Sequence, residues 1–550
     1  MTTSVCEVIL MLKRIVVLAV LSTALLAQNP PAPKAASSNF DGKSWWDYVK
    51  ILAADDMEGR ETGSEGLRKA QAYIVEQLKA AELEPAGVNG FYQPVKFISH
   101  QIDESGSRLA LVHNGKDEPL VLGEDAMFST RVDLAPEVDA PLVFAGYGLR
   151  VPEKDYDDFA GLDLKGKVAV IISGSPAEMP APLASHYQST SERARALRAA
   201  GAIGMISIPN PGAMDIPWSR MTLARTRPSM ALADPKFDDA RGVKLYVVFN
   251  PADADKLFEG SPYKFQQLAD LAKERKPLPR FALRASIKAH AKVIQKDVES
   301  DNIVAKLPGT DSKLKDEYVV LSAHIDHLGI GEPINGDRIY NGAMDNGSGS
   351  ALILDIANSL QHSQVKTKRS VLFLWVSAEE KGLLGSRYFA ANPTVPKGSI
   401  VADINTDMFL PIYPLKVLTV FGLDESSLGP LVRDVAQQQH VLVQADPEPL
   451  RNAFIRSDQY SFIRQGVPAV AMQVGYKPGT PEATAHKQWL TQRYHAPSDD
   501  TNQPVDLEAA GKFEDIIQAV AIRVANDPQR PIWENGSFFR RFVVVPNMGP

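Results

Sequence analysis

Three apolar runs in the second half of the chain constrain its fold more than any other feature. Residues 318–323, 371–376 and 400–404 are almost unbroken in hydrophobic side chains. A strand with one face in water alternates apolar and polar residues, whereas runs of this kind suit strands covered on both faces. Helical stretches are expected between and after them, over 348–360, 383–391 and 505–524, with a further strand at 467–472. Strand and helix alternating in this order predict an α/β domain, with a mixed, largely parallel sheet flanked by helices.

The residues at the end of each run point to chemistry. The first run ends in Ala323-His324-Ile325-Asp326-His327, the second leads into Ser377-Ala378-Glu379-Glu380, and the third into Asn405-Thr406-Asp407-Met408. Two more motifs stand apart: Ala343-Met344-Asp345-Asn346-Gly347, in a glycine-flanked loop before a helix, and Tyr494-His495-Ala496-Pro497. Singly, each has an ordinary reading: a hydrogen-bonded strand-end histidine, a solvated helix start, a capping aspartate. Open α/β sheets collect ligands at the carboxyl ends of their strands, so five such motifs on one sheet converge. Imidazoles and carboxylates without a thiolate suit zinc or a similar divalent ion in a hydrolytic site.

Bulk properties narrow the remaining classes. A chain of 550 residues is expected to hold two or three domains. The net charge of −7, from 59 basic and 66 acidic residues, and the lack of any basic run argue against a nucleic-acid partner. Near the N-terminus, Lys13 and Arg14 precede an apolar stretch at 15–27 that is short for a membrane span. Residues 1–27 therefore read as an export signal, with Met11 as an alternative start and an uncleaved anchor as the alternative reading. Residues 28–39 read as a linker. The sole cysteine, Cys6, lies ahead of the charged pair and apolar stretch of the signal, so the mature chain would have neither disulfides, thiolate ligands nor a lipidated cysteine. The expectation is a bacterial periplasmic or secreted protein with no stable membrane insertion after cleavage.

The rest of the chain divides by texture. Residues 40–134 open the catalytic domain, where Leu67, Ala70, Ile74 and Leu78 mark one face of a helix. The preceding glycine-rich stretch from Gly59 to Gly66 lacks phosphate-loop spacing and reads as structural. Over 135–292, short β-like runs at 141–147, 167–172, 204–208 and 244–248 alternate with Pro- and Gly-rich turns. This predicts a mainly β insert with one helix near 193–200. The catalytic domain resumes at 293–528, and 529–550 form a tail.

The five motifs resemble those of the zinc-dependent aminopeptidases typified by bacterial leucyl aminopeptidases, the M28 metallopeptidases, with a likeness running over about 40–527. The resemblance implies the zinc-peptidase (phosphorylase/hydrolase-like) fold and two Zn2+ per chain. By that likeness Asp345 bridges the ions, Glu380 and His495 bind one, and His324 and Asp407 the other. Three carboxylates against two zinc ions leave one positive charge for a hydroxide to neutralise, whereas the same carboxylates buried without cations would be costly. Glu379, beside a ligand but not one itself, would be the general base and acid, and Tyr494 would donate to the oxyanion. Asp326, two residues past His324, is expected to accept that histidine's second ring N–H, and Asp499 to serve His495 in the same way. His327 is assigned only a supporting or structural role. The likeness also implies a cis peptide between Asp345 and Asn346. The segment Ser457-Asp458-Gln459 resembles a Ser-Asp-His motif, with Gln459 where histidine is usual.

The insert's motifs Gly146-Tyr147-Gly148, Tyr156-Asp157-Asp158, Gly161-Leu162-Asp163-Leu164-Lys165-Gly166-Lys167-Val168 and Ala199-Ala200-Gly201-Ala202 resemble the protease-associated (PA) domain. The function implied is an exported dizinc aminopeptidase acting on peptide substrates. A glutamate-releasing carboxypeptidase is the nearest alternative, because it shares the site and the insert. A glutaminyl cyclase-like enzyme would use a single zinc and a reduced ligand set. A non-catalytic binding protein on the same scaffold would lack the ligands.

Overall fold

A computed structural model describes residues 39–543 apart from 215, 364 and 452. The expected export signal, Cys6 and the linker up to residue 38 lie outside the described residues. Among the described residues, no helix is long and apolar enough to cross a membrane.

The apolar runs form the centre of a ten-stranded sheet. Tyr318–His324 lies between Ser370–Val376 and Ile400–Asn405, with Ala469–Gly475 beyond, all four parallel. Antiparallel strands extend both margins. Val293–Leu307, Tyr92–Ile102 and Ser229–Leu232 continue the sheet on one side, and Val417–Phe421 pairs antiparallel with Ala469–Gly475 on the other. This is the mixed α/β sheet that the pattern predicts, parallel where the runs are unbroken.

Burial on both faces explains those runs. Val371, Phe373 and Trp375 pack into a core shared with helices Lys43–Leu52, Glu65–Ala80, Gly349–His362 and Leu507–Asn526. The alternate residues Leu372, Leu374 and Val376 pack on the opposite face with Phe389 and Phe462. Each such side chain contributes about 1.5–3 kcal/mol on leaving water, and the polar residues of the central strands pair among themselves, with Ser322 Oγ 2.7 Å from Asp403 Oδ1 and 3.0 Å from Asn405 Oδ1. Leu67, Ala70, Ile74 and Leu78 form the buried stripe of Glu65–Ala80, whose first turn is capped by Ser64 accepting the Leu67 N–H.

A second, eight-stranded sheet carries the insert. Its order is Lys116–Leu120, Arg108–His113, Arg280–His290, Glu137–Ala145, Val168–Ile172, Gly204–Ile208, Leu245–Phe249 and Ala126–Phe128. The four β-like runs of the sequence are strands here, and strands from 108–128 join them. Among the described residues this part also has the helices Ala181–Gln188, Thr190–Ala200 and Phe265–Lys273, where the sequence pattern marks one. The insert touches the domain of the ten-stranded sheet beside the strand-end motifs. Arg220, in the short helix Trp218–Met221, donates to the carbonyls of Leu490 and Thr491 at 2.9 and 2.7 Å. Those carbonyls end the helix Pro481–Gln492, which leads into Tyr494 and His495.

Candidate metal centre

Three neighbouring parallel strands deliver three of the motifs to one edge of the sheet. His324 is the last residue of its strand, Glu379 and Glu380 come after Ser370–Val376, and Asp407 after Ile400–Asn405. Asp345 sits in a single π-type turn, Ala343–Ser348, ahead of the helix Gly349–His362, and its peptide bond to Asn346 is cis. Asn346 ties this turn to the Asp407 segment. Its amide donates to the Thr406 carbonyl at 2.9 Å, and its oxygen accepts the N–H of Gly349 at 2.8 Å and of Met408 at 3.3 Å. Gly342, at φ +62°, is required here, because a Cβ would lie 2.2 Å from the Asp345 carbonyl oxygen and 2.5 Å from the His327 ring.

The backbone beside the site is held in uncommon conformations. Ala378, Met408 and His495 have φ of +58°, +46° and +55°, the left-handed region that non-glycine residues rarely enter. Each adjoins or is a residue of the site, so local strain concentrates where side chains must be aimed.

The two oxygens of Asp345 face different partners. Oδ1 is 3.5 Å from His324 Nε2, which is itself 3.2 Å from Asp407 Oδ1. Oδ2 is 3.3 Å from His495 Nε2 and 3.8 Å from His327 Nδ1. Glu380 stands on this second side, with Oε2 3.4 Å from His495 Nε2 and Oε1 2.8 Å from His327 Nδ1. His324, Asp345 and Asp407 form one donor set able to hold an ion, and His327, Asp345 and Glu380 form another.

A test for cation binding lies in the unpaired atoms. Despite their close approach, His327 Nδ1 and Glu380 Oε1 are not aligned as a hydrogen bond; both are buried without a partner, as is His327 Nε2. Buried polar atoms left unpaired are costly, and a cation at this point would satisfy them. Proton affinities agree. Burial, with Glu380 beside it, pushes Asp345 up to about 7, and burial holds Glu379 well above the usual carboxylate range, with Glu380 and Asp407 adding to it. Burial would also raise Glu380, but the charge of His495 carries it well below that range. Burial lowers His327 to about 4, which keeps the imidazole neutral and able to bind a metal. The residues present fit divalent cations.

Two expected supporting contacts differ in the structure. His324 Nδ1 lies 3.0 Å from the Asp326 backbone oxygen, whereas the Asp326 carboxylate is 4.0 Å away. That carboxylate accepts instead from Thr62 Oγ1 at 3.0 Å and the Glu379 N–H at 3.1 Å, so Asp326 orients the proposed base. Asp499 accepts the N–H of Met344 at 2.9 Å, the N–H of Asp345 at 3.0 Å and the Gln503 amide at 2.8 Å. It therefore anchors the loop of Asp345 rather than the ring of His495. Gln459 is fully buried; its oxygen accepts from the Asn405 amide at 2.8 Å, and its own amide donates to the Phe454 carbonyl at 3.0 Å.

The sequence reading gives His327 a supporting or structural role, and it misses Arg60. The Arg60 guanidinium is buried and donates to the carbonyls of Leu52, Ile325, Asn341 and Gly342. One charged group thus gathers the turns on which His324 and Asp345 sit. A cleft opens onto the centre, lined by Asp345, Glu379, Glu380, Asp407, Tyr494 and His495, together with Arg451, Arg456 and Gln473.

The model of Peptidase family M28 matches residues 302–521, the stretch that contains all five motifs. Aminopeptidase Y of Saccharomyces cerevisiae is 31% identical over 187 residues, covering 32% of this chain and 31% of that protein. Leupeptin-inactivating enzyme 1 of Streptomyces exfoliatus is 33% identical over 108 residues, covering 20% of this chain and 22% of that enzyme. The aligned parts are thus less than a third of these relatives. The solved structure of an aminopeptidase from Aneurinibacillus sp. strain AM-1 covers 89% of this chain and 95% of its own, with a TM-score of 0.54 and 20% identity. That likeness extends the shared fold beyond residues 302–521 to nearly the whole described chain.

Proposed function

We propose that this chain is an exported metallo-aminopeptidase with two zinc ions, removing N-terminal residues from peptides. The observation that carries the reading is the split orientation of Asp345, whose oxygens face separate histidine and carboxylate sets. A carboxylate so placed is suited to bridging two cations, with His324 and Asp407 on one, and Glu380 and His495 on the other. Aminopeptidase names among the relatives and the AM-1 structure support action at the amino end. Export rests on the charged and then apolar stretch at 13–27, and the PA reading of the insert on its sequence motifs.

Zinc held in these sets supplies a Lewis acid for the scissile carbonyl and a water acidic enough to be deprotonated near neutral pH. Glu379 does the proton work. Its backbone N–H is pinned to Asp326 and its carboxyl group is buried with a raised proton affinity, which suits a group that takes a proton from the attacking water and hands it to the leaving amine. Tyr494 packs its ring 3.9 Å from that of His495, and burial raises its hydroxyl far above the ordinary value, so it remains a donor for the developing oxyanion.

The test is hydrolysis of leucine p-nitroanilide by the zinc-loaded protein and its Glu379→Gln variant. The wild type is expected to turn over, and the variant to lose about 10²–10⁴-fold in kcat while keeping its zinc. Near-normal activity in the variant would remove Glu379 from the reaction. Cleavage confined to N-blocked peptides would overturn the aminopeptidase reading.

A further inference from the structure

The glycine-rich stretch from Gly59 to Gly66, read from the sequence as structural, lies against the loops of the metal centre. Three consecutive residues of it reach three different partners. Arg60 donates to the carbonyls of Ile325, Asn341 and Gly342, Glu61 accepts from Lys381 Nζ at 2.9 Å, and Thr62 Oγ1 donates to Asp326 Oδ2 at 3.0 Å. The stretch is itself held in place. Glu61 bridges to His327 in parallel, the His327 N–H reaches the Arg60 carbonyl at 3.1 Å, and the Ser64 N–H closes on the Glu61 carbonyl at 2.9 Å. Thr62 is buried and does not line the cleft.

The Asp326 carboxylate takes one hydrogen bond at each oxygen. Oδ2 accepts from the Thr62 hydroxyl, and Oδ1 from the Glu379 N–H at 3.1 Å. The torsion about the Cβ–Cγ bond of an aspartate is broad, so a carboxylate held at one oxygen is free to swing. Held at both, its plane is set, and with it the direction in which Oδ1 meets Glu379. The other side of Glu379 is anchored as well, since its carbonyl accepts the N–H groups of Gly382 and Leu383 at 2.8 and 2.9 Å. The turn between strand and helix here has Ala378, Gly382 and Leu383 at φ of +58°, +112° and +61°. It has no helical ladder to aim Glu379, so the aim depends on contacts from outside the turn.

We propose that Thr62 is a positioning residue for the general base, acting through Asp326 on the backbone of Glu379. The inference rests on the role given to Glu379 above. Because Thr62 lies outside the cleft, losing its hydroxyl acts on turnover rather than on substrate binding. Partners one step behind a working group alter activity by about 10–100-fold, and small misplacements of a reacting group have effects of that size.

The test is a double-mutant cycle between Thr62→Val, which keeps the shape and removes the hydroxyl, and Glu379→Gln. Zinc-loaded proteins are assayed on leucine p-nitroanilide, with zinc affinity measured by a competing chelator. Thr62→Val is expected to lower kcat about tenfold or more, with KM and zinc affinity within about twofold of wild type. Thr62→Ser is expected to recover most of that loss. In the Glu379→Gln background the valine should lower kcat no further, because the group it positions is gone. Equal losses in both backgrounds, a serine variant as impaired as the valine, or a loss of zinc in step with activity would each overturn the inference. So would a fully active Thr62→Val beside an inactive Glu379→Gln, which leaves the base assignment standing. Near-normal activity of Glu379→Gln removes the base assignment and this inference together. Thr62→Ala carries the same cycle if the valine variant does not fold.

Discussion

Glu380 has an imidazole at each oxygen. His495 approaches Oε2 and His327 approaches Oε1; the rings lie 6.0 Å apart at an angle of 65°, with His327 fully buried and the His495 side chain 27% exposed. His327 therefore flanks the carboxylate on the Asp345 Oδ2 side, where an ion would satisfy both groups. Removing it in His327→Ala is expected to weaken binding of the ion held there by about 10–100-fold. Titration of zinc against a competing chelator measures this, and an unchanged affinity at both ions would show that His327 only fills space. Of the expected ligands, His324, Glu380 and Asp407 are legible in the sequence because each follows an apolar run, and Asp345 because it lies in a glycine-flanked turn, whereas His495 rests on the family resemblance. His327 is harder to read, since its partner Glu380 belongs to another strand. Arg60 is harder still, because it reaches carbonyls as far as 282 positions away and nothing near it in sequence announces them. Asp326 and Asp499 show the same limit: their nearness to the site is visible in the motifs, but the atoms they bind depend on how two loops meet.

Among the elements, those with a self-contained pattern are the ones the sequence reveals. The helix Leu507–Asn526 and the central strands carry their own periodicity. The helix Ala181–Gln188 does not: its buried residues Leu183, Ala184, Ser185 and His186 are consecutive, so its burial comes from neighbouring segments. Phe265, Leu268, Ala269 and Ala272 have helical spacing, but the helix is nine residues long and set among turns. Ala181–Gln188 carries a consequence for acid stability. His186 Nδ1 lies 2.6 Å from the Tyr460 hydroxyl, in an aromatic cluster with Phe538 and Phe542, where the insert, the catalytic domain and the C-terminal segment meet. Burial lowers His186 to about 3, with Arg464, Arg541 and Arg195 adding to the effect. The folded form thus holds it neutral, and the stabilisation is complete above pH 6.5 and lost as the pH falls from there toward 3. The loss at pH 5 is about 2 kcal/mol. Denaturant unfolding of wild type and His186→Gln at pH 7.5 and 5 measures it; a wild type that loses no more than the variant over that range would disprove the assignment.

For the whole molecule, stability and metal content are expected to be linked. The buried Asp345, the part-buried Glu380 and Asp407, and the unpaired atoms of His327 and Glu380 make the metal-free centre unfavourable. Chelation should therefore lower the unfolding midpoint, and restored zinc should recover it. At a hundredfold excess over its Kd, each ion contributes about 2.7 kcal/mol. Calorimetry with and without chelator reads the difference, and coincident curves would mean that no metal is held in the folded protein.

The hydrogen bonds of Arg220 to Leu490 and Thr491 bear on which piece of this chain is able to work by itself. Residues 302–521 contain every expected ligand, the proposed base and the oxyanion donor, yet two braces come from outside that stretch. Arg60 knots the turns under His324 and Asp345, and Arg220 steadies the end of the helix that presents His495. A fragment cut to the family boundaries would keep its chemical vocabulary and lose its grip on the geometry.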